Sequence, residues 1–248
     1  METSLFIAKT HDFNHDGILD YRHYLNSDEL ESYNKIKIKQ DKNNYITSRK
    51  ILKSALQKLY PNISRKSWKF TKNSYGKPII IYPELQKPLY FNISHTLDAV
   101  AVAVSQTSDV GVDIEKIRNL AIISFPEMSI SHLEISKNYF TKNEYKKISS
   151  LPYNDGVSYF WRLWTLKESY MKYRGIGLSL GLDCIEVDIS NQSIIIKPND
   201  VETNAYQWVK EDMVISLSLS KKHHSITLFD YDTSITSPTG NNYQYIHN

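Results

Sequence analysis

The sequence contains a single cysteine, Cys184, in 248 residues. That excludes an internal disulfide and, with no cysteine partners, a cysteine-rich zinc site. No apolar run approaches the roughly 18 to 20 residues that a membrane helix needs. The longest, AVAVAV at 99–104, has the length of a buried strand. The first stretch, METSLFIAKTHDF, is too polar for a signal peptide. No G-x-x-x-x-G-K-[ST] loop and no G-x-G-x-x-G fingerprint is present, so a bound nucleotide would sit in neither a P-loop nor a Rossmann site. Together these absences give the expectation of a soluble, cytoplasmic protein.

What is present supports a packed chain. Hydrophobic residues make up 41 % and aromatics 12 %, with 18 tyrosines, which argues against general disorder. The length suits one large domain or two small ones. The net charge of +3 is unevenly spread: from Lys35 to Lys77 there are 13 Lys and Arg against one acid, Asp41. That segment is +12, which leaves −9 for the remainder. A chain so divided would hold a polyanion with one part and a metal ion with the other, or simply carry a solvated, lysine-rich helix pair.

Strands are expected at 4–8, 68–71, 79–82, 89–93, 99–105 and 110–115. The spacing predicts helices from Ser27 to about Lys39 and over 44–59, the second ended by Pro61. NSYGKP at 73–78 is a turn. In the second half, Thr141 and Glu144 form a capping-box pair that starts a helix through about Ser149. A long helix is expected over 155–174, with Gly175 as its breaker. Residues 184–230 are β-rich. MVISLSLS alternates as a half-buried strand, with EDM before it and KKHH after it as hairpin turns. Helices first and strands after in each half gives an α+β fold. The boundaries expected are 1–107, 108–230 and a polar tail at 231–248.

GVDIE, 111–115, carries the first functional signal. Asp113 and Glu115 sit two apart on a strand and so project from the same face, where like charges repel. In WTLKESYMK, 164–172, Trp164, Glu168 and Lys172 fall at i, i+4 and i+8, on one helix face. Glu168 and Lys172 alone would be a surface ion pair contributing roughly 0.3–0.5 kcal/mol. Joined with GVDIE they become a site of three carboxylates and a lysine. An all-oxygen donor set without His or Cys suits Mg²⁺ rather than zinc, and Mg²⁺ commonly shares itself with phosphates. In FNISH, 91–95, Ser94 and His95 stand at a strand end, where the chain turns. A Ser–His–Asp triad is set aside because the two are neighbours in the chain.

In this order, these motifs resemble the 4′-phosphopantetheinyl transferases. GVDIE and WTLKESYMK are similar to that family's signature pair. YGKP at 75–78, FNISH at 91–95, YFTKNEY at 139–145 and GLSL at 177–180 resemble further motifs, and Arg49 in SRKIL fits an upstream one. Length and two-part organisation look like the monomeric, surfactin-synthetase-activating (Sfp-type) branch. The resemblance implies two similar-sized α+β halves related by pseudo-twofold symmetry, with an active site in the cleft between them. It implies transfer of the phosphopantetheine arm of coenzyme A to a serine of an apo acyl or peptidyl carrier protein, releasing adenosine 3′,5′-bisphosphate. By motif, Asp113, Glu115 and Glu168 would bind Mg²⁺, with Mn²⁺ as a substitute. Glu168, or a water on the metal, would take the serine proton, and Lys172 would stabilise the leaving phosphate. Arg49 and His95 would hold the 3′-phosphate, and Tyr75, Gly76, Lys77, Pro78 and Ser94 would surround the adenine end. Lys167 would also touch phosphate.

The sequence departs from the family pattern at Thr96, at Asn138 and in a longer segment over 116–136, and the tail matches nothing in it. Two other readings fit three carboxylates beside a basic segment. One is a Mg²⁺-dependent phosphodiesterase or nuclease. The other is a non-enzymatic nucleic-acid binder stacking bases on Tyr45, Tyr60, Trp68 and Tyr75. The expectation carried forward is a monomer with carrier-protein and coenzyme A partners and no nucleic acid or membrane.

Overall fold

A computed structural model describes residues 2–10, 23–118, 131–190, 193–197, 203–220, 225–230 and 239–240. In chain order its elements begin with β1 (Glu2–Lys9), α1 (Ser27–Lys35), α2 (Lys39–Leu59), β2 (Lys69–Lys72), β3 (Pro78–Tyr82), β4 (Tyr90–His95) and β5 (Ala99–Ser105). Then come β6 (Val110–Lys116), α3 (His132–Tyr139), α4 (Lys142–Ser150) and α5 (Tyr153–Arg174). The series closes with β7 (Glu186–Ser190), β8 (Ser193–Lys197), β9 (Thr203–Lys210), β10 (Met213–Ser220), β11 (Ser225–Asp230) and β12 (Thr239–Gly240). The fold is α+β. No described helix is long and apolar enough to cross a membrane.

The chain divides into two compact units. One comprises Met1–Val110 with Lys222–Tyr243, and the other Gly111–Lys221 with Gln244–Asn248. The first is organised by a five-stranded sheet in the order β12-β11-β1-β5-β4. Its β5 is the AVAVAV run, and all seven of its residues are buried, as a central strand covered on both faces requires. Ile51, Leu52 and Leu56 of α2 pack with Val100, Val102 and Val104 of β5, and Trp68 and Phe91 complete the cluster. β1 pairs antiparallel with β5 and parallel with β11, with Leu5 opposite Leu228. The strand Ser225–Asp230 was expected beside its sequence neighbour MVISLSLS, across a KKHH hairpin. It instead joins the first unit's sheet, beside β1, and KKHH at 221–224 lies outside the described residues.

Helix α1 starts at Ser27, as expected, with the cap one residue earlier. Asn26 is its cap, accepting from the Glu29 N–H while Glu29 accepts from the Asn26 N–H, a reciprocal capping box.

In the second unit a three-stranded sheet, β6-β10-β9, supports α5, and β7 and β8 form a separate hairpin. The core joins Phe160, Leu163, Leu166 and Tyr170 of α5 with Val187, Ile194, Ala205 and Val214 of the strands. MVISLSLS forms β10 as expected, but it is buried on both faces rather than half-buried. The serines on its polar face are covered by α5 and pair with it: Ser216 with Thr165 at 2.8 Å and Ser218 with Ser169 at 2.9 Å. A buried hydroxyl is tolerated when it finds such a partner. Thr141 and Glu144 cap α4 as the sequence predicts. Gly175 ends α5 in the left-handed conformation, φ 66°, where a side chain would be strained. Helix α3 was not anticipated. The 119–130 part of the longer segment lies outside the described residues, as does the tail apart from β12.

Candidate functional site

The second unit gathers the carboxylates. Val112 and Ile114 turn into the core of β6 and are fully buried, so the alternating pleat sends Asp113 and Glu115 to the opposite side together. Gly111 lets α5 lie against this strand. A Cβ at that position would sit 2.0 Å from the Ser169 carbonyl oxygen and 2.2 Å from the Tyr173 backbone nitrogen. Only a residue with no side chain permits this approach, and the approach is what brings Glu168 and Lys172 to Asp113 and Glu115.

Two cationic side chains separate the repelling carboxylates. Lys172 Nζ donates to Asp113 Oδ1 at 2.6 Å. Arg118 Nη1 donates to Glu115 Oε2 at 3.1 Å. Arg118 is itself held by Trp161: its guanidinium lies 4.8 Å from the ring centroid, and the Trp161 indole N–H donates to the Arg118 carbonyl at 2.9 Å. Sequence reasoning missed Arg118, which sits past the strand end, three residues beyond the motif. Burial, then the negative charge of Asp113, pushes the Glu168 carboxyl up to about 6; Lys172 pulls it back and Glu115 adds to the rise. Glu168 is therefore electrostatically coupled to both strand carboxylates.

Among the described residues, no three His, Cys, Asp or Glu side chains are already drawn into a metal cage. The donor set nonetheless fits a hard divalent cation. Three mutually repelling carboxylates, one with raised proton affinity, are what such a cation would neutralise.

Lys167 departs from its expected place. Its side chain is 0 % exposed and its ammonium stands 2.7 Å from Glu144 Oε2. It also donates to the carbonyls of Leu182, at 2.8 Å, and Ile185. Burial pushes its pKa down, with Glu144 opposing. This is a core lysine, already paired within the second unit. GLSLG at 177–181 has the G-x-S-x-G spacing of a nucleophile elbow, but it forms a 3₁₀ turn after α5, with the Ser179 hydroxyl donating to the Ile176 carbonyl. An elbow needs a strand-to-helix turn instead.

The first unit carries a pocket of about 800 Å³. Of the residues expected on the 3′-phosphate, Arg49 and His95 line it, as do Gly76 and Pro78 from the set expected at the adenine, and Lys37 and Lys72 add two cations that sequence reading did not single out. The Arg49 guanidinium lies 5.1 Å from the Tyr45 ring and 5.6 Å from that of Phe70, with Glu29 Oε1 3.6 Å behind it. Glu29 also pairs with the fully buried Lys53 at 2.9 Å. The arrangement presents fixed positive charge beside aromatic rings, suited to a phosphorylated planar ligand.

Lys77 does not join this pocket. Its ammonium donates to Asp109 and, at 3.1 Å, to the Val110 carbonyl, and burial pushes its pKa down. Tyr75 is exposed and Ser94 is buried. Trp68 is wholly buried, with Tyr60 packed edge-on to it, so Trp68 offers no stacking face of the kind a nucleic-acid binder would need.

Residues 109–227 match the family model of the 4′-phosphopantetheinyl transferase superfamily. The chain is 35 % identical over 142 residues to the 4′-phosphopantetheinyl transferase gsp of Aneurinibacillus migulanus, covering 57 % of this chain and 53 % of that protein. It is 30 % identical over 164 residues to the 4′-phosphopantetheinyl transferase Sfp of Bacillus subtilis (strain 168), covering 66 % of each. To the 4′-phosphopantetheinyl transferase HetI of Nostoc sp. it is 32 % identical over 166 residues, 67 % of this chain and 65 % of that protein. The chain thus spans between about half and two thirds of the length of these relatives. With the strand carboxylates, the close approach at Gly111 and the helix that faces them in place, the chain is similar to the 4′-phosphopantetheinyl transferase superfamily over residues 109–227.

Proposed function

We propose that the protein transfers the 4′-phosphopantetheine moiety of coenzyme A to a serine of an apo acyl or peptidyl carrier protein, releasing adenosine 3′,5′-bisphosphate. The observation that carries this reading is the convergence of β6 on α5, which couples Asp113, Glu115, Glu168 and Lys172 electrostatically. Phosphoryl transfer depends mainly on positioning and on neutralising spread negative charge. Asp113, Glu115 and Glu168 would hold Mg²⁺, or Mn²⁺ in its place, which when bound supplies charge neutralisation at the pyrophosphate.

The remaining roles fall to the chain's own residues. Glu168 receives the proton of the carrier serine hydroxyl as its oxygen attacks the phosphorus that bears the pantetheine arm. The bond from that phosphorus to the bridging oxygen breaks, and the electron pair leaves with adenosine 3′,5′-bisphosphate. Lys172 faces the charge that develops there. Arg49 and His95, with Lys37 and Lys72 beside them, take the 3′-phosphate, and Gly76 and Pro78 border the adenine. Tyr75, Lys77 and Ser94 belong to the same segments but are not among the residues that line the pocket.

Intact-protein mass spectrometry tests the proposal. The protein is mixed with Mg²⁺, coenzyme A and a panel of apo carrier proteins. A carrier gains one phosphopantetheine group, and the gain disappears with EDTA and with Glu168→Ala. Failure to modify any carrier, together with no binding of coenzyme A, would overturn it.

A further inference from the structure

The motif YFTKNEY and the lysine at the centre of WTLKESYMK take no part in the chemistry above, yet the structure ties them together. Glu144 is 4 % exposed and Lys167 not at all. Glu144 Oε2 receives the Lys167 ammonium at 2.7 Å and the Thr141 N–H at 2.9 Å, while Oε1 receives the Val187 N–H at 2.8 Å. Lys167 adds the Leu182 and Ile185 carbonyls. An ammonium has three protons, and each has an acceptor here. The pair therefore joins the start of α4, the middle of α5, the turn after it and the first residues of β7.

A buried pair of this kind contributes little net stability over apolar residues of the same shape, but it fixes geometry. The geometry matters because Glu168 is the next residue. Successive helix side chains diverge by about 100°, so holding Lys167 at one azimuth sets the azimuth of Glu168 and, one turn on, of Lys172. A carboxylate about 6 Å from the helix axis moves about 2 Å for a rotation of about 20°.

We propose that Glu144 and Lys167 form a positioning clamp that sets the rotation of α5 and so aims Glu168 and Lys172 at Asp113 and Glu115. This inference rests on the transferase reading for its kinetic arm and on the carboxylate site alone for its metal-binding arm.

The test compares Lys167→Met, Glu144→Gln and the double variant in the full chain. Each is measured for Mn²⁺ affinity without coenzyme A (by electron paramagnetic resonance of the free ion), for thermal midpoint, and for kcat and KM. Lys167→Met should weaken Mn²⁺ binding and lower kcat, each by about tenfold or more, with KM for coenzyme A nearly unchanged. The double variant, which leaves no orphaned charge, should regain the thermal midpoint while Mn²⁺ affinity and kcat stay low. If all three recover together, the pair is merely structural and the clamp is refuted. A raised KM for coenzyme A with unaltered Mn²⁺ affinity would also overturn it, making Lys167 a phosphate ligand. Should Lys167→Met not fold, Glu144→Gln alone loosens the same joint and is held to the same outcomes. A wild-type protein that modifies no carrier and does not bind coenzyme A would sink the transferase reading, while the Mn²⁺ series still decides the clamp.

Discussion

Replacing Gly111 by alanine adds one methyl group at the point where β6 and α5 touch. The new Cβ would stand 2.0 Å from the Ser169 carbonyl oxygen, 2.2 Å from the Tyr173 nitrogen and 2.8 Å from the Tyr173 Cα. All three are backbone atoms of a long helix, so no side chain can rotate away. Ordinary contact begins at 3.4 Å, so strand and helix must part by more than 1 Å. Overpacking costs about 1–3 kcal/mol where side chains can adjust, and here the upper end or more is expected. For a protein of this size about 3 kcal/mol lowers the thermal midpoint by roughly 6–12 °C. The catalytic consequence is larger than the thermal one. The 2.6 Å bond from Lys172 to Asp113 spans this interface and would open beyond hydrogen-bonding range. A displacement of about 1 Å costs on the order of a hundredfold in rate. Differential scanning fluorimetry and the carrier-modification assay, run on one preparation, measure both effects. A Gly111→Ala protein with wild-type midpoint and wild-type transfer would refute the account of how α5 is seated.

Other perturbations separate the two units and their chemistries. Arg49→Ala should raise KM for coenzyme A by about tenfold or more and leave kcat near wild type, because Arg49 lines the first unit's pocket and is not one of the carboxylate set. Metal affinity should fall with acidity. The Glu168 carboxyl is pushed up to about 6, so below that pH the folded, metal-free protein carries a proton where the cation must bind, and titration calorimetry with Mg²⁺ at pH 5 and 7 reads the loss. His132 is buried and its pKa is pushed below the usual 6.5 by that burial. As pH falls below 6.5 the unfolded chain takes up a proton that the folded one resists, so stability present above 6.5 is progressively lost. His132→Asn should flatten that slope in urea unfolding between pH 7 and 5.

Much of the fold is legible in the chain. AVAVAV reads as a covered strand, Thr141 with Glu144 as a helix start, Gly175 as a helix stop, and GVDIE with WTLKESYMK as one site. The misses have physical causes. A short helix such as α3 carries too few apolar positions to show a period, although Ser131 followed by Glu134 is a cap signature, and the Ser131 hydroxyl does accept from the Glu134 N–H. Lys167 reads as a solvated or phosphate-bound cation because lysine is seldom buried. Its place at i+4 from Leu163, on a stripe that continues to Tyr170, is the clue that it faces the core. Arg118 left no signal, since its contacts depend on where the chain turns after β6. The half-buried reading of MVISLSLS failed because serine hydroxyls on α5's side of the strand are paired rather than hydrated. Strand β11 was misplaced because alternation says where side chains point and is silent on which sheet a strand joins.

The parallel pairing of β1 with β11 ties residues 2–7 to residues 225–230, with Gly111–Lys221 of the second unit synthesised between them. A ribosome adding about 5–20 residues per second reaches β11 some ten to forty seconds after β1 emerges. Until then β1 is an edge strand with its outer N–H and C=O groups unmatched, an open template for another chain. The first unit's sheet therefore waits for β11, and the exposed interval of β1 grows with any pause in translation between them. A chain cut short before Ser225 would lose the neighbour of its opening strand, so damage at the far end would be felt at the beginning.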